Sequence, residues 1–147
     1  MKQTDQYMIL QFPSRSVNES FARSAVAAFA ARLDPTMEEL GDIKTAVSEA
    51  VTNCIVHAYP DSIGIIQIRC KVLQDQILDI TIKDRGCGIE DVNKALEPMF
   101  TTGNEERSGM GFTIMESFMS SLKVKSKLGK GTTVHMRRKI VNRGENH

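Results

Sequence analysis

Apolar and polar positions change rhythm several times along the chain, and each change marks an element. YMILQFP (7–13) is a short apolar run stopped by Pro13, which predicts an edge strand. Ser16 or Asn18 can cap a helix running to about Leu33, with Phe21, Ala25, Ala28, Phe29 and Leu33 recurring at helical spacing. Asp34-Pro35 breaks it. Thr36 opens T-M-E-E, a capping box with Glu39, ahead of a second helix to about Tyr59 whose core stripe is Ile43, Val47, Ala50, Val51, Cys54 and Ala58. Ile65–Val72 and Ile77–Lys83 predict two strands joined by a turn near Asp75. A Gly-rich turn (84–88) and a short helix at about 90–96 follow, ended by Pro98. Residues 98–110 lack periodicity and predict a mobile loop. Helix 111–121 is apolar on one side. Strands 122–127 and 132–141 flank the Gly129-Lys-Gly131 turn, and the polar tail from Arg138 to His147 is expected to fray.

The order is β-α-α-β-β-α-loop-α-β-β. Strands are grouped and helices are left to cover one face. The expected class is α+β, a two-layer sandwich with a mixed, mostly antiparallel sheet.

Composition narrows the function classes. The 147 residues suit one domain, with a core over about 7–137. Lys and Arg number 19 against 18 Asp and Glu, so no general field exists for wrapping nucleic acid or coating an anionic membrane, although a local basic patch stays open. No direct nucleic-acid or membrane partner is expected. No apolar run reaches the roughly 18 residues of a membrane span, and the N-terminal apolar run is too short for a secretory signal. Cys54, Cys70 and Cys87 form no C-x-x-C pair. That argues against structural zinc and for inert thiols in a reducing cytoplasm. With Trp absent, base stacking on a single strand is disfavoured.

Four places could carry chemistry. Glu49 and Asn53 lie four apart on one helix face, off the apolar stripe, and His57 continues the line. A carboxylate beside an amide oxygen suits a hard cation and a base; the same spacing also suits a solvated flank. Asp84-x-Gly86-x-Gly88 follows a strand, where glycines admit a ligand and the acid can accept from an exocyclic amine; it is also a common turn. Gly109-Met-Gly111 sits between loop and helix, where free N–H groups can bind phosphates. Gly129-x-Gly131-Thr132 is explained fully by a hairpin turn. Walker, Rossmann, nucleophile-elbow and zincin motifs are absent.

Taken together, the order and intervals of these four elements resemble the ATP-binding fold shared by gyrase B, Hsp90, histidine kinases and MutL. VSEAVTN (47–53), FTT (100–102) and ERSGMGFTIME (106–116) look like the anti-sigma factor serine kinases, in particular the sporulation anti-sigma F branch of endospore-forming bacteria. LDPTMEEL (33–40) and NESFAR (18–23) strengthen the likeness, which covers about 7–137. It implies ATP and Mg²⁺ as cofactors, phosphorylation of a serine on a small anti-anti-sigma protein, sequestration of a sigma F type factor, and a homodimer. By position it implies Glu49 as the catalytic carboxylate and Asn53 as Mg²⁺ ligand. Asp84 would hold the adenine amino group, with Gly86 and Gly88 making room and Thr132 in support. Gly109 and Gly111 would serve the phosphates. Arg107 would place a cation near the γ-phosphate or docking partner, and Arg23 would meet the sigma factor. Arg85, Ala58 and Gly103-Asn104 depart from the usual pattern. The rival expectations are a stress-response or other switch kinase, an idle sigma-sequestering module, and the ATP-binding half of a histidine kinase. The last needs an upstream phospho-accepting helix pair, and only six residues precede the first strand.

Overall fold

The computed structural model describes residues 5–96 and 106–141, with side chains for all of them except Lys94 and residues 106–110. The elements are β1 (Tyr7–Pro13), α1 (Val17–Ala30), α2 (Met37–Asn53), β2 (Ile65–Leu73), β3 (Ile77–Lys83), α3 (Val92–Leu96), α4 (Glu106–Phe118), β4 (Ser121–Lys127) and β5 (Gly131–Lys139). The strands form one sheet in the order β1-β2-β3-β5-β4. Every pairing is antiparallel, so the expected mixed character gives way to a uniform ladder. β1 is an edge strand, as the Pro13 stop requires.

Alternation divides the sheet into two faces. Ile66, Ile68, Cys70, Leu78, Ile80, Ile82, Val134 and Met136 point inward and are almost wholly buried under α1, α2 and α4. The helices contribute Val26, Phe29, Ile43, Val47, Val51, Phe112 and Met115 to the same core. Removing such a side chain costs about 2–5 kcal/mol.

The open face carries Arg69 and Lys71 of β2, Lys83 of β3, Lys123, Lys125 and Lys127 of β4, and Arg137 and Lys139 of β5. Among these strands its one acid is Asp79, which is 1% exposed. Asp79 stays there because β5 covers it: Oδ2 takes Arg137 Nε at 2.8 Å and lies 2.7 Å from His135 Nε2. Arg137 is its direct cross-strand partner and His135 the diagonal one.

Several expectations shift by a residue or a turn. In α1 the buried stripe is Ala22, Val26, Phe29 and Ala30, whereas Phe21 is 54% exposed and Ala28 is exposed. Ser16 makes no side-chain cap; Asn18 Nδ2 instead donates to the Pro13 carbonyl. Asp34, at φ 53°, closes the 3₁₀ turn Ala31–Leu33. The Thr36–Glu39 capping box forms in full. The α-helix that it opens ends at Asn53, and a π-turn over Cys54–Ala58 completes the run to Tyr59. The helix expected from residue 111 begins at Glu106, so 106–110 belong to α4; 97–105 lie outside the described residues.

The chain end is tied down as far as Val141. Ile140 is fully buried, Arg138 bonds Asp42 of α2 at 2.9 Å, and Val141 N donates to Glu39 Oε2 at 3.0 Å. The expected fraying therefore does not begin at Arg138, and 142–147 lie outside the described residues. Of the thiols, Cys54 and Cys70 are buried, while Cys87 is exposed. Burial and the nearby Asp79 carboxylate push the Cys70 thiol up to about 12.

Candidate functional site

The last two turns of α2 place Glu49 and Asn53 one above the other, and α4 crosses them at Gly111. A Cβ on Gly111 would lie 3.2 Å from both Nδ2 and Oδ1 of Asn53 and 3.4 Å from Glu49 Oε2. The absent side chain is what allows this approach. Asn53 Nδ2 is closed off from solvent with no hydrogen-bond partner among the described residues. A buried donor left unmet costs about 1–3 kcal/mol, so an amide held in that state marks a place that a ligand completes.

The unmet atom is a donor and calls for an acceptor such as a phosphate oxygen. The fit of a metal rests instead on the oxygens beside it. Among the described residues no group of three or more His, Cys, Asp and Glu could form a protein cage. One amide beside one carboxylate fits a cation that takes few protein oxygens and fills its shell with water and phosphate, as Mg²⁺ does. Gly111 lies past the first turn of α4, because that helix starts at Glu106. Its N–H therefore lies beyond the helix's four free donors, in contrast to the expected placement at a helix start. Gly109 remains in the first turn. The Arg107 side chain lies outside the described residues.

The second half of the site is the turn after β3. Asp84 is 5% exposed. Its Oδ1 accepts from Gly86 N at 2.9 Å and Thr132 N at 3.1 Å. Its Oδ2 accepts from the Cys54 thiol at 3.4 Å. Gly86 rests on the end of the π-turn, where a Cβ would stand 2.2 Å from the Ala58 carbonyl oxygen. Gly88, at φ 77°, brings the chain back toward β4. Cys87 N donates to the Ala58 carbonyl at 3.0 Å, and Gly129 N to the Cys87 carbonyl at 2.6 Å.

Sequence reasoning missed three residues that hold this turn from outside it. Tyr59 Oη accepts from Arg85 N at 2.7 Å and donates to the Ile65 carbonyl at 2.9 Å, so one phenol links helix end, turn and strand. Burial, foremost, raises the Tyr59 phenol above its ordinary range. Ser126 Oγ accepts from Ile89 N at 2.7 Å and lies 2.7 Å from Thr132 Oγ1. Cys54 is expected only as a core residue and an inert thiol. Helical periodicity signals Cys54 and Tyr59 only as continuations of α2, and nothing local to Ser126 signals its role.

Arg23 lies closer to the centre of the site than its position in α1 suggests. With Gly41, Lys44, Thr45, Ser48 and Glu49 it lines a groove of about 370 Å³ between α1 and α2. Its guanidinium is held by Glu19, with Nη1 2.9 Å from Oε2 and 3.2 Å from Oε1.

The chain therefore brings Glu49, Asn53 and Gly111 together at one end of a helix whose continuation touches Asp84. The pattern of the histidine kinase-like ATPase domain family matches residues 12–138. A protein of Caldanaerobacter subterraneus named anti-sigma F factor is 62% identical over 90% of this chain and 93% of its own. Proteins of the same name from Geobacillus kaustophilus and Clostridium acetobutylicum are 56% and 54% identical over 90% of this chain, covering 92% and 93% of their own lengths. Among solved structures, the RsbU and RsbW domains of a Mycobacterium tuberculosis protein share the fold, with TM-score 0.68 at 18% identity over 91% of this chain and 32% of that one. A blue-light-activated histidine kinase of Erythrobacter litoralis superposes with TM-score 0.60 at 25% identity, over 84% of this chain and 42% of its own. This chain belongs to the anti-sigma F factor family, on the histidine kinase-like ATPase fold.

Proposed function

We propose that the chain is an ATP-dependent serine kinase and anti-sigma factor of the sporulation type. It sequesters a sigma F type factor and phosphorylates a serine of the anti-anti-sigma protein. The observation that carries the kinase half is the orphaned Asn53 amide, packed beside Glu49 under Gly111. The shared name of its relatives supports the sigma half.

Asn53 would hold Mg²⁺ with Oδ1, and the ion would supply neutralisation of charge developing on the transferred phosphoryl group. Glu49 accepts the proton of the attacking serine hydroxyl, or orients it, from the groove it shares with Arg23. Asp84 accepts from the adenine amino group, and Thr132 keeps that carboxylate in place through its N–H. Gly109 and Gly111 let the backbone of α4 come close to the phosphates, and Arg107 adds a cation there. The domain acts as a cytoplasmic homodimer. Support for the dimer comes from β1, an outer strand that leaves Tyr7 and Ile9 exposed opposite Lys71 and Arg69 of β2. No helix among the described residues is long and apolar enough to cross a membrane.

Incubation with γ-labelled ATP, Mg²⁺ and the cognate anti-anti-sigma protein tests the proposal. Label is expected on one serine of that protein. Transfer to a histidine, or no transfer, overturns it.

A further inference from the structure

Cys54 follows Asn53 and begins the π-turn, a rare geometry that gathers at functional sites. The turn brings the Cys54 side chain onto a carboxylate 30 positions on. Cys54 is 4% exposed and Asp84 5%. Both partners are dry, so water cannot replace the contact between them.

An ionised carboxylate has about four acceptor positions. On Asp84, Oδ1 is filled by two backbone N–H groups, Gly86 at 2.9 Å and Thr132 at 3.1 Å. Oδ2 receives one donor, the Cys54 thiol at 3.4 Å. Among the described residues one acceptor position therefore remains, on Oδ2, and the thiol fixes which direction it faces. The contact joins a thiol to a carboxylate, and only the thiol has a proton to give, so Cys54 is the donor.

We propose that Cys54 is a positioning residue for base selection: its thiol holds Asp84 so that Oδ2 accepts an exocyclic amine and opposes a carbonyl, favouring a 6-aminopurine over a 6-oxopurine. This rests on the nucleotide reading above. A held carboxylate presents an acceptor where the oxygen of a 6-oxopurine would lie, and two acceptors facing each other in a dry site are costly. A carboxylate free to turn can take the N1–H of the 6-oxopurine instead, and discrimination falls.

The test compares Mg·ATP with Mg·inosine triphosphate by titration calorimetry on the full chain and on Cys54→Ser, Cys54→Val and Cys54→Ala. Serine keeps a donor; valine keeps the apolar volume and loses the donor. The parent is expected to prefer ATP. Cys54→Ser should keep the ATP-to-inosine preference within about twofold, whereas Cys54→Val and Cys54→Ala should lose about tenfold of it, the scale of one hydrogen bond to a charged group. Should Cys54→Ala fail to fold, the Ser and Val pair decides. Equal preference in all variants overturns the proposal, and so does retention by Val with loss in Ser, which is the signature of packing alone. A parent that binds neither nucleotide overturns the nucleotide reading itself. A parent that binds ATP while the variants keep its preference overturns only the role of Cys54.

Discussion

At the scale of single residues, the proposed roles separate binding from chemistry. Glu49 is partly exposed in a groove, and no described bond ties it to the fold, so its charge can be removed without disturbing packing. Glu49→Gln is expected to leave Mg·ATP affinity within about twofold and to lower phosphorylation of the anti-anti-sigma serine about 10²-fold, the usual scale for a lost general base. Calorimetry and a labelled-phosphate assay check the two halves. Asp84 is the opposite case. Its Oδ1 collects two backbone donors in a dry turn, so Asp84→Asn must turn an NH₂ group toward another donor. The expected cost is about 1–3 kcal/mol of stability, measured by urea unfolding, together with weaker ATP binding.

At the scale of elements, α2 is the spine of the molecule. Its N-terminus carries the capping box and its C-terminus carries the site. Burial works against the Glu39 charge, but N–H donors from Val141 and Thr36, the Thr36 hydroxyl and the Arg138 charge together hold its carboxyl below the ordinary range. The folded pKa is depressed, so this stabilisation is fully present above the unfolded value of about 4.5 and is lost as pH falls through the folded value. Glu39→Gln is expected to cost about 0.5–2 kcal/mol at pH 7, with the gap to the parent closing in unfolding curves taken below pH 4. Across the site, Gly111→Ala improves the helix propensity of α4 by up to about 1 kcal/mol but sets a methyl 3.2 Å from the Asn53 amide. Weaker Mg·ATP binding at unchanged or raised thermal stability is the expected result, and loss of both would mean a misfolded helix.

The same elements show why some of the fold could be read from sequence and some could not. The α2 stripe was legible because Ile43, Val47, Ala50, Val51 and Cys54 alternate with polar residues over many turns. The α1 stripe was misphased because alanines occupy every side of that helix, so Phe21 outweighed Ala22 in hydrophobicity while packing chose Ala22. The start of α4 was hidden because ERSGM offers no apolar periodicity. In the candidate site, Glu49, Asn53, Asp84 and Gly111 were singled out by spacing and resemblance. The thiol on Asp84 and the serine beside Thr132 were not, since each depends on a contact that only the folded chain creates.

At the scale of the whole molecule, α1 and α2 bring Arg23 and Glu49, the candidate base, into one groove. Arg23 is engaged with Glu19 across one helical turn, a pair worth about 0.3–0.5 kcal/mol at the surface. Arg23→Ala is therefore expected to change stability by less than about 0.5 kcal/mol and to leave ATP affinity within about twofold, while weakening sigma-factor capture in a pull-down. Undiminished capture would make Arg23 an ordinary solvated helix residue.

The open face of the sheet gives the molecule a polarity that its formal charge of +1 conceals. Since the eight lysines and arginines on that face meet one buried acid among the described strands, the described part of the chain is electrically lopsided near overall neutrality. Such a body turns before it is attracted. On a sulfonate cation-exchange column near neutral pH it should be retained sheet-first despite its negligible net charge, and it should elute once added salt shortens the Debye length below about 8–10 Å. Replacing Lys123, Lys125 and Lys127 with glutamine should advance its elution more than replacing three lysines elsewhere, although both changes remove the same formal charge.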